Sequence, residues 1–342
     1  MRTKITIFCV VLAMILSACG SATAPSVTVT PLPADTSVPS PTLTATTVVP
    51  LAILVLPTTL DPETSNSYQK TVYDLAQASG MRFQVRNTLT AADLEPGLKI
   101  VIALAPDPGI VALASAAPNV QFLAINIPEV AAGGNISVLG GNSQSDTAAF
   151  LAGYTAALIT DDYRIGMMLP KDNPDAIRAF NAYTSGMTFY CGTCRPVFYP
   201  AFCIAENLLR CYPQYIEIPS DEEKSKYGPY ADYLIIQRRV KTIFVYPDVS
   251  TEDLLTYIGT TGTSMIGLSV PEQLPAGWVM TIQPDIVKAI QNAWSSLISG
   301  QGGLTVQSPL GLSDIDPTLL SPGRLLKVQQ MLQDLQAGYV SP

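Results

Sequence analysis

"SDTAAFLAGYTAALIT", residues 145–160, is small or apolar almost all the way round. Phe150, Gly153, Tyr154, Ala157 and Leu158 share one helical face, while Leu151, Ala152, Ala156 and Ile159 fill the others. A membrane span needs about 20 apolar residues, and Asp161 and Asp162 end this run too early. A helix that is apolar on every side and too short to span is buried inside a sizeable folded body. The residues on either side of it have to supply that body.

Short apolar runs alternate with helical stretches on both sides. Before the helix come strand-like runs at 51–56, 83–85, 99–104, 121–126 and 136–139, with helices at about 65–79 and 108–117. After it come strands at 164–169, 215–218, 242–246, 265–268 and 278–282. Helices are expected at about 174–188, 221–239, 251–261, 285–299 and 322–337. Near-continuous apolar strands, each followed by a helix, predict parallel sheets covered on both faces. The class is α/β. Roughly ten strands with irregular spacing predict two doubly wound parallel-sheet lobes joined by a hinge rather than one barrel. No GxGxxG or GxxxxGK[ST] follows a strand, so dinucleotide binding and a phosphate-cradling loop have no support.

In open parallel sheets, ligands sit beyond the carboxyl ends of the strands. Those ends carry Asp61, Asp107, Asn126, Asp172, Tyr246 and Ser269, on loops stiffened by Pro57, Pro106, Pro170 and Pro247. Any one of the short polar residues is equally at home starting a turn or capping a helix. Together they suit a cleft that hydrogen-bonds a small polar molecule. The rings considered for stacking on it are Tyr68, Phe180 and Tyr246, with Phe180 equally suited to a core beside Ile177 and Tyr183.

The chain has 342 residues and no histidine, which excludes Ser-His-Asp catalysis and His-ligated metal sites. No metal, cofactor or enzymatic activity is expected. At the N-terminus, Arg2 and Lys4 precede the apolar run 5–16, and "LSAC" follows at 16–19. This is the layout of a secretory signal, residues 1–18, and the box at its end resembles that of bacterial lipoproteins. The resemblance implies cleavage before Cys19 and a lipid on its sulfur. Residues 19–50 are rich in Thr, Ser, Pro, Ala and Val, with Asp35 the one charge. They read as the lipidated Cys followed by an extended tether. Removing Arg2 and Lys4 from the 19 basic residues leaves 17 against 27 acidic ones, a net charge near −10 for the mature chain. Nothing in that balance favours nucleic acid. Cys191, Cys194, Cys203 and Cys211 fall within one short segment, and outside the cytoplasm such a set predicts two disulfides. Three pairings are open. A four-Cys zinc knuckle and a redox-active CxxC are the competing readings.

The order of segments resembles the basic membrane protein (BMP, PnrA-like) lipoproteins, the substrate-binding components of ABC importers. "PNVQFLAIN" (118–126), "NISVLGGNSQSDTAAFLAGYTAALIT" (135–160) and "RIGMMLPKDNPDAIRAFNAYTSGM" (164–187) carry the resemblance. It implies a type I periplasmic-binding fold, with the opening helix packed inside the first lobe. It also implies lobes of 51–160 plus about 272–300, and 161–271 plus about 301–342. The implied function is a lipid-anchored protein on the outer face of the cell membrane. It would close over a small polar solute, with a purine nucleoside the family's example, and present it to an ABC permease and ATPase. The implied ligand set adds Asn66, Tyr68 and Gln283 to the strand-end residues. Several family acids are neutral here: Asn126 stands for one, "IGLSVPEQ" (266–273) has lost a pair, and the family's stacking Phe has no counterpart, Tyr68 being the nearest ring. These departures keep a second reading open, a sensor or surface-interaction lipoprotein on the same fold.

Overall fold

A computed structural model describes residues 48–140 and 144–342. The signal, Cys19 and most of the tether lie outside the described residues. The first sheet is built from β1 (Leu51–Val55), β2 (Arg82–Arg86), β3 (Leu98–Leu104), β4 (Gln121–Ile125) and β5 (Ile136–Leu139), with β11 (Thr305–Val306) on its edge. Its order is β11-β5-β4-β3-β1-β2, parallel throughout. The second sheet holds β6 (Ile165–Pro170), β7 (Gln214–Ile218), β8 (Thr242–Val245), β9 (Ser264–Gly267), β10 (Trp278–Pro284) and β12 (Leu310–Ser313). Its order is β12-β10-β9-β8-β6-β7, and only the β10–β12 pair is antiparallel. The expected class is the observed one: two doubly wound α/β lobes of six strands each.

Each helix follows its strand. α1 (Pro62–Ala78) and α2 (Ile110–Ala116) cover opposite faces of the first sheet, the former with Val72 and Ala76, the latter with Ile110, Leu113 and Ala114. α8 (Ile286–Ile298) returns to the α1 face, burying Ala289, Ile290, Trp294 and Leu297. The Trp294 indole N–H donates to Ser79 Oγ at 3.0 Å and pins α8 beside the end of α1.

The second lobe takes α3 (Ser145–Ile159), α4 (Pro174–Cys191), the short α5 (Ala201–Ala205), α6 (Gly228–Asp232), α7 (Glu252–Thr260) and α9 (Pro322–Gln336). Two expectations are corrected here. The opening helix, α3, belongs to this lobe and not to the first. Every residue from Ala148 to Leu158 is buried, in a core shared with β6, β8, β9, β10, α4 and α9. α3 lies unusually close to α4: a Cβ on Gly153 would stand 1.9 Å from the Tyr183 carbonyl oxygen, and one on Gly186 would stand 1.9 Å from that of Phe150. Glycine at both positions is what lets the backbones touch. Thr160, at the helix end, shares a 2.6 Å hydrogen bond with Thr242 of β8. The chain therefore passes from the first sheet to the second lobe between β5 and α3. It crosses again between β10 and α8, which places β10 in the second sheet rather than the first lobe. A third crossing, at 307–309, separates β11 from β12.

The second correction concerns the continuous helix expected at 221–239. A 3-10 turn at Lys224–Lys226 is followed by α6 and a π turn at Tyr233–Gln237. Gly228 and Pro229 explain the break, since proline has no N–H to continue a helix and favours the first turn of a new one. Among the described residues no helix is long and apolar enough to cross a membrane.

Candidate functional site

The carboxyl ends of both sheets carry the residues singled out from the sequence, and most of those residues also build the loops they stand on. Asp61 caps α1, its Oδ1 accepting from Thr64 N at 2.8 Å. That backbone hydrogen bond, with a side-chain one from the same residue, lowers the carboxyl's pKa. Asp107 Oδ1 accepts from Gly109 N and Ile110 N, both at 2.9 Å, and starts α2. Asn126 is exposed after β4 with φ 50°, a left-handed conformation that Asn adopts more readily than most residues. Asn66 is exposed on α1.

On the second lobe, Asp172 is exposed with φ 59°. Beside it Asn173 caps α4 by accepting from Asp175 N at 2.9 Å and Ala176 N at 3.2 Å, and its Nδ2 donates to Asp248 Oδ2 at 3.0 Å. Tyr246 is only 8% exposed. Burial raises its phenol pKa, and the carboxylates of Asp248, Asp175 and Asp146 raise it further. Ser269 is exposed after β9.

Three clefts divide these residues. Tyr68 and Gln283 line one of about 270 Å³ together with Asp285 and Ser313. Gln283 Nε2 donates to Ser313 Oγ at 3.1 Å, and Ser313 Oγ donates to Asp314 Oδ2 at 2.7 Å. Burial raises the Tyr68 phenol pKa, with Asp61 and Asp285 adding to it. Asn126 lines a second cleft of about 270 Å³ with Gln144, Pro284 and Ser308. There Gln144 Nε2 donates to Ser308 O at 2.9 Å, joining two of the crossings. Asp107 lines a third cleft, of about 510 Å³, with Thr58, Thr59 and Asn87 against Val55, Leu89 and Leu104. Pro284 borders the first two clefts, so Tyr68, Gln283 and Asn126 converge on the hinge. Asp61, Asn66, Asp172, Tyr246 and Ser269 line none of these three.

Sequence reading passed over Gln144, Asp285, Ser308 and Ser313 at the hinge. Asp285 precedes a helix and caps it, accepting from Lys288 N at 2.8 Å; that capping pattern was the signal available. It also passed over the pairing of Asn173 with Asp248, residues 75 apart in sequence.

Cys191 pairs with Cys194 and Cys203 with Cys211, at Cα separations of 5.0 and 5.5 Å. Both disulfides lie beyond the C-terminal end of α4, at the pole away from the strand carboxyl ends. The segment between them exposes Val197 (77%) and Phe198 (75%), and Ile204 (69%) is exposed just inside the second loop. Among the described residues no group of three His, Cys, Asp or Glu is placed to hold a metal ion.

No protein-family model matches the chain, and no curated protein matches it. Solved structures do. An ABC transporter solute-binding protein from Conexibacter woesei DSM 14684 is similar with a TM-score of 0.54 at 16% identity, over 86% of this chain and 98% of that one. A transcriptional activator of the comK gene from Bacillus halodurans gives a TM-score of 0.49 at 11% identity, over 85% and 97%. An ABC transporter solute-binding protein from Aeropyrum pernix K1 gives 0.40 at 13%, over 86% and 87%. The first of these carries the comparison, and what it shows is the fold. This chain has the two-lobed fold of periplasmic-binding proteins.

Proposed function

We propose that the chain is a solute-binding protein, anchored by lipid at Cys19 to the outer face of the cell membrane, that closes its two lobes over a small polar ligand and presents it to an ABC permease and ATPase. The observation that carries this reading is the arrangement of the lobes. Polar strand ends stand on both sheets, and the hinge between them is crossed three times and lined by Tyr68, Asn126 and Gln283. Closure of two lobes about such a hinge is a common response to a ligand. The similarity to the Conexibacter protein supports it at the level of fold. Purine nucleosides enter only through the family resemblance, and the neutral Asn126 and the segment 266–273 lack the carboxylates that would grip ribose hydroxyls. Among the described residues no nucleophile and base are paired at the strand ends, and a binding role is the reading taken.

A thermal-shift screen against nucleosides, sugars, amino acids and amines tests the proposal. A ligand at 100 times its Kd adds about 2.7 kcal/mol, a rise of several degrees. If no small molecule raises the midpoint, the solute-binding reading fails. One observation favours the alternative of a sensor or interaction lipoprotein: the apolar segment around Phe198, stapled by two disulfides, is placed for contact with another molecule and not with a solute in the cleft.

A further inference from the structure

We propose that the loop stapled by the two disulfides, with Val197, Phe198, Ile204 and Leu209 outermost, inserts into the surface of an anionic bilayer and holds the second lobe against it. This inference rests on the lipid-anchor reading above for what keeps a bilayer in reach, and on the loop itself for the contact.

The first observation is a concentration of exposed apolar side chains on a loop that is folded. Leu209 is wholly exposed, and Val197, Phe198 and Ile204 are mostly so, with the Tyr199 ring beside them half in water. Two disulfides close the loop. Cys203 N donates to Pro200 O at 3.0 Å and Leu208 N to Cys203 O at 3.0 Å, which turns the chain back on itself. Val197 N donates to Asp162 Oδ1 at 3.1 Å and fixes the first part to the turn before β6. Phe202 points inward instead, edge-on to Tyr212 with ring centroids 6.2 Å apart and the Arg238 guanidinium 4.8 Å from its centre. The loop thus has an inner apolar side that packs and an outer one that does not. A contiguous apolar patch held out in water marks a contact with a membrane or another molecule.

The second observation is the charge around that patch, and it selects the occupant. The chain as a whole is acidic, with 27 Asp and Glu against 19 Lys and Arg. Yet Arg195, Arg210, Arg239 and Lys241 are exposed on this side, and among the described residues none of the four is in an ion pair. Arg210 donates to Thr188 Oγ1 at 2.7 Å. Arg239 follows Arg238, whose carbonyl accepts from the Tyr212 hydroxyl at 2.9 Å. Lys241 N donates to Arg164 O at 2.7 Å, next to the loop's contact with Asp162. Of the acids beside these groups, Glu206 is held by Arg238 at 2.7 Å and Asp162 by Arg164 at 3.2 Å, which leaves Asp161 against four bases.

An anionic bilayer answers both features at once. Apolar side chains enter the boundary between headgroups and acyl chains, while Arg and Lys meet the acidic headgroups. A tyrosine at the edge of such a patch suits the headgroup level, where rings with one polar end collect. A neutral partner surface would cover the apolar residues and leave the bases unanswered. The bilayer is also within reach: the 28 residues between Cys19 and Val48 could span about 90 Å when extended, against a width of about 50 Å for a folded body of this size.

The test is vesicle co-sedimentation of the mature chain, residues 19–342, carrying Cys19→Ser so that no acyl chain is attached. One set of vesicles is phosphatidylcholine alone; the other contains about one-third phosphatidylglycerol. The expected result is binding to the anionic vesicles that falls as salt is added, and binding to the neutral ones about tenfold weaker or less. Val197→Ser with Phe198→Ser should weaken the anionic binding about tenfold or more, and Arg195→Gln with Arg210→Gln by about tenfold. Both pairs should leave the unfolding midpoint nearly unchanged, because these side chains stand in water. Phe198→Trp reports insertion directly. Trp278 and Trp294 are buried, so the new indole should blue-shift on the vesicles and be quenched by brominated lipid. No binding to anionic vesicles overturns the inference, as does binding that neither pair weakens or an indole that brominated lipid does not quench. A dimer in solution that the Val197→Ser, Phe198→Ser pair dissociates, with no vesicle binding, gives the patch to a second copy and overturns it too. A solute found by thermal shift while the vesicles fail leaves the solute-binding reading standing without this one. Vesicle binding with no solute found supports this inference and sinks that reading.

Discussion

Replacing Gly153 with alanine tests the contact on which the second lobe is built. The added Cβ would lie 1.9 Å from the Tyr183 carbonyl oxygen and 2.7 Å from its carbon. Ordinary contact begins near 3.4 Å, so α3 and α4 must separate by about 1.5 Å at the crossing. Backbone cannot rotate away as a side chain can. Overpacking of this kind costs about 1–3 kcal/mol and sometimes more. Alanine returns about 1 kcal/mol of helix propensity; with the backbone clash at 1.9 Å placing the overpacking cost at the upper end of that range, a net loss of about 2 kcal/mol is expected. Gly186→Ala meets the Phe150 carbonyl oxygen at the same 1.9 Å and should cost a similar amount. Because both changes demand the same separation, the double variant should lose clearly less than the two single losses combined. Urea unfolding of the full chain, followed by far-UV circular dichroism, measures all three variants. A Gly153→Ala protein more stable than its parent would refute the reasoning, since propensity alone predicts that sign where a helix face is open.

Two further outcomes are expected. Reducing the Cys203–Cys211 disulfide, or replacing both residues with serine, should remove about 2–3 kcal/mol of restraint on the short loop between them. Limited proteolysis should then cut within 195–211 while both lobes survive; a segment equally resistant with and without reductant would count against it. The Tyr212 phenol is pushed up to about 12 by burial. The unfolded chain ionises this group near pH 10, so the stability Tyr212 contributes is fully present below pH 10 and is lost as pH rises through 12. Unfolding midpoints of wild type and Tyr212→Phe should therefore converge at high pH. Parallel pH profiles would contradict the assignment.

The class of fold was legible because strands buried on both faces must be apolar throughout, and 51–56, 99–104 and 242–246 are. The lobe to which an element belongs was not. Alternation of strand and helix reports that sheets exist, but not where the chain passes from one to the other. α3 was therefore assigned to the lobe preceding it, although Gly153 needs α4 beside it. β11 and β12 are too short for a period-2 pattern to register, and "QSPLGLS" (307–313) reads as loop. The interruption at Gly228–Pro229 lies inside an amphipathic pattern that reads as one helix over 221–239. At the candidate site, the strand ends were legible as loops rich in short polar residues. The partners of the strand-end residues, Ser313 for Gln283 and Asp248 for Asn173, come from distant segments that no local pattern connects.

The placement of α8 also has a consequence for how the protein is made. One apolar face of the first sheet, with Leu54, Ile102 and Leu123, receives Ile290 and Trp294 only after the whole second sheet except β12 has been synthesised. At about 5–20 residues per second, the stretch from Leu139 to Ile298 takes roughly 10–30 s to appear. During that interval this face is covered by α1 alone, and the part that α8 will take presents apolar surface to whatever is near it. A chain that terminates early, or stalls between β5 and α8, is left as a sticky fragment and not as a smaller working domain. Any chaperone that meets this polypeptide during synthesis would have to shield that face until α8 arrives.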